Sequence, residues 1–281
     1  MSVEAFAPAK VNLTLHVTGR RADGYHLLDS LVVFPDVGDR LRFVLASTMS
    51  LDVCGPLAEG VPTDGRNLCL RAAQLLGTGK GARITLEKHL PHGAGIGGGS
   101  ADAAATLRGL SVLWGLPLPT ADKALAQGAD VPVCLAAPKA MVMRGIGEVL
   151  RPAPALPTFT MLLVNPRVET PTSAIFAALA YRGWIKNPPM PEMPAGFADL
   201  TELAVWLKLT RNDLERAASD FAPISDVKSA IEAQPGCALS RMSGSGSTCF
   251  GLFASAKPAE AAAVAIRRAY PDWWVAVGAV S

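Results

Sequence analysis

At 281 residues the chain is long enough for one large domain or two modest ones, and with 50% hydrophobic and only 18% charged residues it holds ample core material, which excludes global disorder. Its formal net charge of +2, with no long basic run, argues against nucleic acid as the main partner, because phosphate neutralisation needs clustered Lys and Arg. Five scattered cysteines (Cys54, Cys69, Cys134, Cys237 and Cys249), odd in number and without a C-x-x-C pair, fit free thiols in a reducing compartment better than a disulfide framework or a zinc site.

The first residues, M-S-V-E-A-F, lack a basic segment followed by an apolar stretch, and no window approaches 18 apolar residues. A soluble, cytoplasmic protein with no membrane partner is expected. Residues 10–18 alternate: Val11, Leu13, Leu15 and Val17 on one side, Lys10, Asn12, Thr14 and His16 on the other. This predicts a half-buried strand with one wet face. Asp23-Gly24 signals a turn, and the apolar run Tyr25–Phe34 completes a hairpin with a wide loop. Residues 41–45 and 82–87 read as strands, and Asn67–Leu76 reads as a helix.

After the glycine-rich stretch 91–99, Ser100 is a suitable N-cap. Ala103, Leu107, Leu110 and Trp114 follow with helical spacing until Gly115 and Pro117 stop the helix. Thr120 caps a short helix ending near Gly128. The stretch R-P-A-P-A-L-P at 151–157 is the best candidate for a domain junction. Beyond it come a strand at 160–164, a proline-rich irregular loop at 187–196, and helices near 199–208, 211–218 and 224–233. A strand at 248–253, a helix at 258–269 and a strand at 273–277 close the chain. Strands with period-2 alternation mixed with helices predict α+β layers.

The segment P-H-G-A-G-I-G-G-G-S-A-D at 91–102 places glycines at 93, 95, 97, 98 and 99. Glycine permits positive φ and lets backbone approach a ligand, so several N–H groups can converge on one anion. The helix that follows adds its unsatisfied amides and the positive end of its dipole. Ser100 is placed to cap the helix and to touch a phosphate. A formal G-x-G-x-x-G match through Gly93, Gly95 and Gly98 is weak, because a dinucleotide fold would set it after a fully buried first strand. A Walker A loop is absent: Gly79-Lys80 is followed by Gly81, and position 74 is Gln.

Phosphoryl transfer to an alcohol needs a phosphate cradle, Mg²⁺ and a group that orients the hydroxyl. Lys10 shares a strand face with Asn12 and is open to two readings, a catalytic cation or a solvated lysine at a strand edge. Asp130, in G-A-D-V-P, is either a base or a turn-forming aspartate. Tyr25 and His26 follow a tight turn, and R-M-S-G-S-G-S-T at 241–248 either lines an anion site or links two elements.

Taken together, P-A-K-V-N-L at 8–13, G-G-G-S-A-D-A-A in the glycine loop and S-G-S-G at 243–246 resemble the three motifs of the GHMP kinase superfamily. R-A-D-G-Y-H at 21–26, G-A-D-V-P at 128–132 and N-D-L-E at 212–215 are similar to the branch that phosphorylates a cytidine diphosphate sugar alcohol in non-mevalonate isoprenoid synthesis. The resemblance covers nearly the full chain and implies ATP and Mg²⁺ as cofactors and a small-molecule substrate. It implies a two-domain α+β GHMP kinase fold. Residues 1–152 would form a ribosomal-protein-S5-domain-2-like ATP-binding domain and 153–281 a substrate-binding α+β domain, with the active site in the cleft and the last strand able to return to the first domain.

By the same resemblance Asp130 is the base and Lys10 holds it and the hydroxyl in line. The nucleotide is bound by Asn67, Lys88, Pro91, His92, Gly93, Ala94, Gly95, Ile96, Gly97, Gly98, Gly99, Ser100 and Ala101. Tyr25 and Phe176 stack on the cytosine, and Asn12, His26 and Thr172 complete the substrate site. Ala94 replaces a glycine of the family pattern, which implies a backbone angle alanine accepts. His92 fills a position usually small or apolar, and Val32 one that is often aromatic. The competing readings are a mevalonate-, galactose- or homoserine-type kinase, a related decarboxylase, and a nucleotide-binding sensor without catalysis.

Overall fold

The computed structural model describes residues 2–77, 79–181 and 187–281. The first elements are strands β1 (Ser2–Pro8), β2 (Val11–Asn12), β3 (His16–Arg20), β4 (His26–Val33), β5 (Gly38–Ala46) and β6 (Ser50–Cys54). Helix α1 (Leu68–Leu75), strand β7 (Gly81–Glu87) and helices α2 (Gly98–Trp114), α3 (Ala121–Leu125) and α4 (Val131–Leu135) follow. Then come β8 (Met141–Gly145), β9 (Val149–Pro152), β10 (Phe159–Asn165), α5 (Thr172–Tyr181), α6 (Leu200–Lys208), α7 (Glu215–Ala218) and α8 (Ile224–Glu232). Strands β11 (Leu239–Met242) and β12 (Cys249–Phe253), helix α9 (Ala256–Ala269) and strand β13 (Trp274–Val280) complete the α+β fold.

The chain forms two compact units, each discontinuous in sequence. The first comprises the chain up to Ala9, Gly38–His92 and Gly97–Ala137; the second comprises Lys10–Val37, Gly93–Ile96 and Pro138–Ser281. The proline-rich stretch 151–157 lies inside the second unit.

In the first unit a sheet of order β1-β5-β7-β6 is antiparallel except for the parallel β6–β7 pair. Ala7 pairs with Asp39, and Arg40 with Glu87. Helix α2 is apolar around much of its circumference, and its alanines are buried. Gly109 lets it lie close on the sheet: a Cβ there would be 2.2 Å from Cε2 of Phe43 on β5. The second unit holds two antiparallel sheets, β2-β4-β8-β9 with β3 also on β4, and β11-β12-β10-β13. The latter packs a core around Leu162, Val164, Phe253 and Cys249 with Ile224, Val227 and Ile231 of α8 and Ala262 and Ile266 of α9. Strand β10 is buried at every position, as a central strand covered on both faces must be.

Several expectations need correction. The stretch 10–18 is not one strand with a wet face: β2 and β3 are separate, and Lys10, Asn12, Thr14 and His16 are all buried. Their polar groups are satisfied internally, Thr14 Oγ1 by the amide of Leu31 at 3.0 Å and His16 Nδ1 near the Pro188 carbonyl at 3.3 Å. Ser100 is not the N-cap of α2. Gly97 occupies that place at φ 63°, which glycine reaches without strain, so Ser100 falls in the first turn. Only Glu215–Ala218 of the helix expected at 211–218 is helical, because the Asn212 side chain bonds the amide of Leu214 and forms a turn instead.

Candidate active site

In the second unit the early strand, part of the glycine loop and the late serine–glycine turn are laced together. The Lys10 amide donates to the Ile96 carbonyl at 2.8 Å, and the Thr248 amide to Ala94 at 3.2 Å. Ser243 Oγ donates to the Gly95 carbonyl at 3.0 Å and accepts the Asn12 amide at 3.1 Å. Gly95 stands at φ 70°, and a Cβ there would lie 2.5 Å from the Ser243 carbonyl oxygen. Only glycine allows backbone to approach backbone this closely. Ala94 is not among the positive-φ residues, so its backbone angle is one alanine accepts. The turn at 243–248 is therefore a buttress for the glycine loop as well as a link between β11 and β12.

Lys10 is buried at 4% exposure, and its Nζ donates to Asn12 Oδ1 at 2.9 Å. Asn12 Nδ2 donates to Ser30 Oγ at 2.7 Å, and the Ser30 hydroxyl donates in turn to the Thr14 carbonyl at 2.5 Å. The chain of bonds fixes which face of the Asn12 amide meets the lysine: its oxygen can only accept, and its nitrogen can only donate. Ser30 had no signal in sequence, since an isolated serine in an apolar strand is unremarkable.

His26 and Phe176 stack with ring centroids 4.6 Å apart and planes 20° from parallel. Burial, then the nearby Arg20, hold the His26 imidazole below its ordinary pKa, favouring the neutral ring. Tyr25 is 59% exposed. Thr172 Oγ1 and Ser245 Oγ are 2.8 Å apart, which joins α5 to the late turn. Val32 is fully buried, paired with Asn12 across β2–β4.

In the first unit Gly97 opens α2, and Gly98, Gly99 and Ser100 make its first turn. The first intrahelical bond runs from Ala101 to the Gly97 carbonyl at 2.8 Å. The amides before it have no partner within the helix, which is the donor set a phosphate needs. Asp130 precedes α4 in a turn closed by the Val131 amide on the Gly128 carbonyl at 3.0 Å. Asn67 caps α1: its Oδ1 accepts from the Cys69 amide at 2.8 Å, and its Nδ2 donates to the Pro62 carbonyl at 2.7 Å. Pro91 is half-buried, and the exposed His92 places Nε2 3.0 Å from the Leu57 carbonyl.

Lys88 is buried, with Nζ on both Asp39 and Asp102. Neither aspartate was singled out for a role by sequence. Asp102 stands in the quoted G-G-G-S-A-D motif, but nothing in its spacing says that it faces a lysine 14 residues earlier.

Residues 67–137 match the family described as GHMP kinases N terminal domain, and residues 198–272 match GHMP kinases C terminal. A 4-diphosphocytidyl-2-C-methyl-D-erythritol kinase of Cereibacter sphaeroides (strain ATCC 17025 / ATH 2.4.3) is 57% identical, over 97% of each chain. The enzyme of that name from Ruegeria pomeroyi (strain ATCC 700808 / DSM 15171 / DSS-3) is 53% identical over 100% of each. The crystal structure of a 4-(cytidine 5'-diphospho)-2C-methyl-D-erythritol kinase aligns with a TM-score of 0.76 and 35% identity, covering 98% of this chain and 99% of that one. With the amino- and carboxy-terminal family regions matched in order, and relatives of this identity running its whole length, the chain belongs to the GHMP kinase family.

Proposed function

We propose that the chain transfers the γ-phosphoryl group of ATP to the 2-hydroxyl of 4-diphosphocytidyl-2-C-methyl-D-erythritol, giving the 2-phosphate and ADP in the non-mevalonate route to isoprenoids. The observation that carries the reading is the buried Lys10–Asn12–Ser30 chain anchored on the glycine loop through Ser243. A lysine so tightly oriented serves chemistry better than solubility, and the full-length relatives bear that activity in their names.

Asp130 accepts the proton of the 2-hydroxyl as the oxygen attacks, and Lys10 keeps the hydroxyl and the carboxylate in line. Phosphoryl transfer leaves the protein little covalent work, so orientation and charge stabilisation account for most of the rate. The first-turn amides of α2 and the loop amides hold the phosphates; backbone donors suit them because they carry no counter-charge to be expelled. Mg²⁺ neutralises charge on the transferring group when bound. Bound with the triphosphate, it would need no cage of three or more acidic, cysteine or histidine side chains. Among the described residues there is no such cluster.

Tyr25 and Phe176 offer flat apolar area to the cytosine, and His26 and Thr172 offer polar edges, while the buried Asn12 acts by holding Lys10. No helix among the described residues is long and apolar enough to cross a membrane, and the ATP supply fits a cytoplasmic site of action. The test is ADP release by the purified protein with ATP, Mg²⁺ and 4-diphosphocytidyl-2-C-methyl-D-erythritol, against mevalonate and galactose. Turnover confined to the cytidine substrate is expected; equal or greater turnover with either control overturns the reading.

A further inference from the structure

Three ionisable side chains meet beneath the first turn of α2. Lys88, just past β7, directs Nζ to Asp39 Oδ2 on β5 and, at 2.8 Å, to Asp102 Oδ2 on α2. All three residues are buried. Asp39 Oδ1 also accepts the amides of His89 at 2.5 Å and Leu90 at 2.9 Å, so both Asp39 oxygens are hydrogen-bonded. Asp102 differs: its Oδ1 is buried and has no hydrogen-bond partner among the described residues.

A Cβ on Gly98 would lie 3.7 Å from Lys88 Nζ. The ammonium therefore sits directly under the turn whose Gly98, Gly99 and Ser100 amides have no partner within the helix. Two strand ends and one helix start converge on a single nitrogen. Charge-assisted bonds of this kind are short and directional, and breaking one leaves a buried charge uncompensated.

We propose that Asp102 is a positioning residue for nucleotide binding: with Asp39 it clasps Lys88, and the clasp fixes the first turn of α2 to the ends of β5 and β7 so that its amides stay aimed at the phosphates. This rests on the reading that the triphosphate binds at that turn. Lys88 then serves the nucleotide through the helix. One lysine between two aspartates is balanced when one of them carries a proton, and the bare Oδ1 makes Asp102 the one. Burial pushes its carboxyl up to about 8, opposed by Lys88 and reinforced by Asp39. The remaining titratable group facing it, the Cys69 thiol of α1, is pushed up to about 12 by burial and by Asp102 itself, so it adds no charge at neutral pH. Asparagine, which has the shape of the protonated acid, should preserve the clasp; alanine removes it.

ATP binding is measured by calorimetry, and kcat and KM by ADP release, for wild type, Asp102→Asn and Asp102→Ala between pH 7 and 9. Asp102→Ala is expected to raise Kd and KM for ATP about tenfold, the loss of roughly one charge-assisted hydrogen bond. Its kcat, corrected for folded fraction, should change by less than about twofold, since no reacting atom is touched. Ionised Asp102 would add a negative charge beneath the phosphates, so Asp102→Asn is expected to hold affinity near the wild-type value at pH 7 and to abolish the weakening that this charge causes toward pH 9.

A wild-type KM in Asp102→Ala overturns the proposal. So does an Asp102→Asn enzyme as impaired as the alanine variant at pH 7, or one that still loses affinity toward pH 9. If the alanine protein does not fold, the asparagine profile decides alone. Amide hydrogen exchange of residues 93–101 in wild type, with and without ATP, tests the phosphate site separately. Absence of protection there removes that reading whatever the Asp102 variants do.

Discussion

Ser243 Oγ bridges the Gly95 carbonyl and the Asn12 amide, partners 148 and 231 residues away in sequence. One hydroxyl thus registers the late turn, the glycine loop and strand β2, whose Asn12 holds Lys10. Because Gly95 meets the 243–246 backbone without a side chain, the loop is held by contact as well as by hydrogen bonds. Gly95→Ala would add a Cβ at φ 70° into a carbonyl oxygen. A destabilisation of about 1–3 kcal/mol is expected. KM for ATP should rise several-fold as the loop shifts. Thermal melts and steady-state kinetics measure both, and a wild-type KM would show that the loop tolerates displacement.

Asp130→Ala should lower kcat by about 10²–10⁴-fold while ATP affinity stays close to wild type, the pattern of a lost general base. Single-turnover kinetics with saturating ATP separates the chemical step from product release. Unimpaired turnover would remove Asp130 from that role.

Arg241 is a buried guanidinium whose ligands are carbonyls and a hydroxyl. Nη1 donates to the Leu13 carbonyl at 2.8 Å and to Thr210 Oγ1 at 2.9 Å, and Nη2 to the carbonyls of Leu207 at 2.8 Å and Thr210 at 3.0 Å. It caps the end of α6 and ties that end to the segment between β2 and β3. Lysine cannot reproduce the planar fork. Arg241→Lys should destabilise by about 2–4 kcal/mol through unsatisfied buried carbonyls, read as a lower urea midpoint. An unchanged midpoint would mean that water replaces the guanidinium.

Stability should depend on pH through Asp102. Its folded-state pKa is raised from 3.8 to about 8, so the folded protein holds this proton more tightly than the unfolded chain. The contribution is fully present below about pH 4 and is lost as pH rises toward and through about 8. Urea midpoints from pH 5 to 9 should fall more steeply for wild type than for Asp102→Asn. Parallel curves would indicate that Asp102 is ionised throughout.

The glycine loop and the helix after it were legible because their signals are local: clustered glycines, 3.6-residue spacing and a terminating Gly115. The wet strand face at 10–18 was misread for the opposite reason. Lys10, Asn12, Thr14 and His16 do alternate with apolar residues, but their polar groups are met by Ser30, Leu31 and Pro188. Period-2 polarity cannot tell water from a distant internal partner. Asp39 escaped notice because its role depends on Lys88, 49 residues later. Helix α5, with Ile175 buried in the core, is apolar almost throughout and has no amphipathic stripe to announce it.

Gly109 meets Phe43 about 16 Å along the helix axis from Gly98. A side chain introduced at 109 would collide with the buried Phe43 ring, and to the extent that α2 yields instead of the ring, the helix moves at its tip as well. Substitutions at this remote, ligand-free position should therefore masquerade as nucleotide-affinity defects, and a screen for weakened ATP use would recover them beside changes in the loop itself.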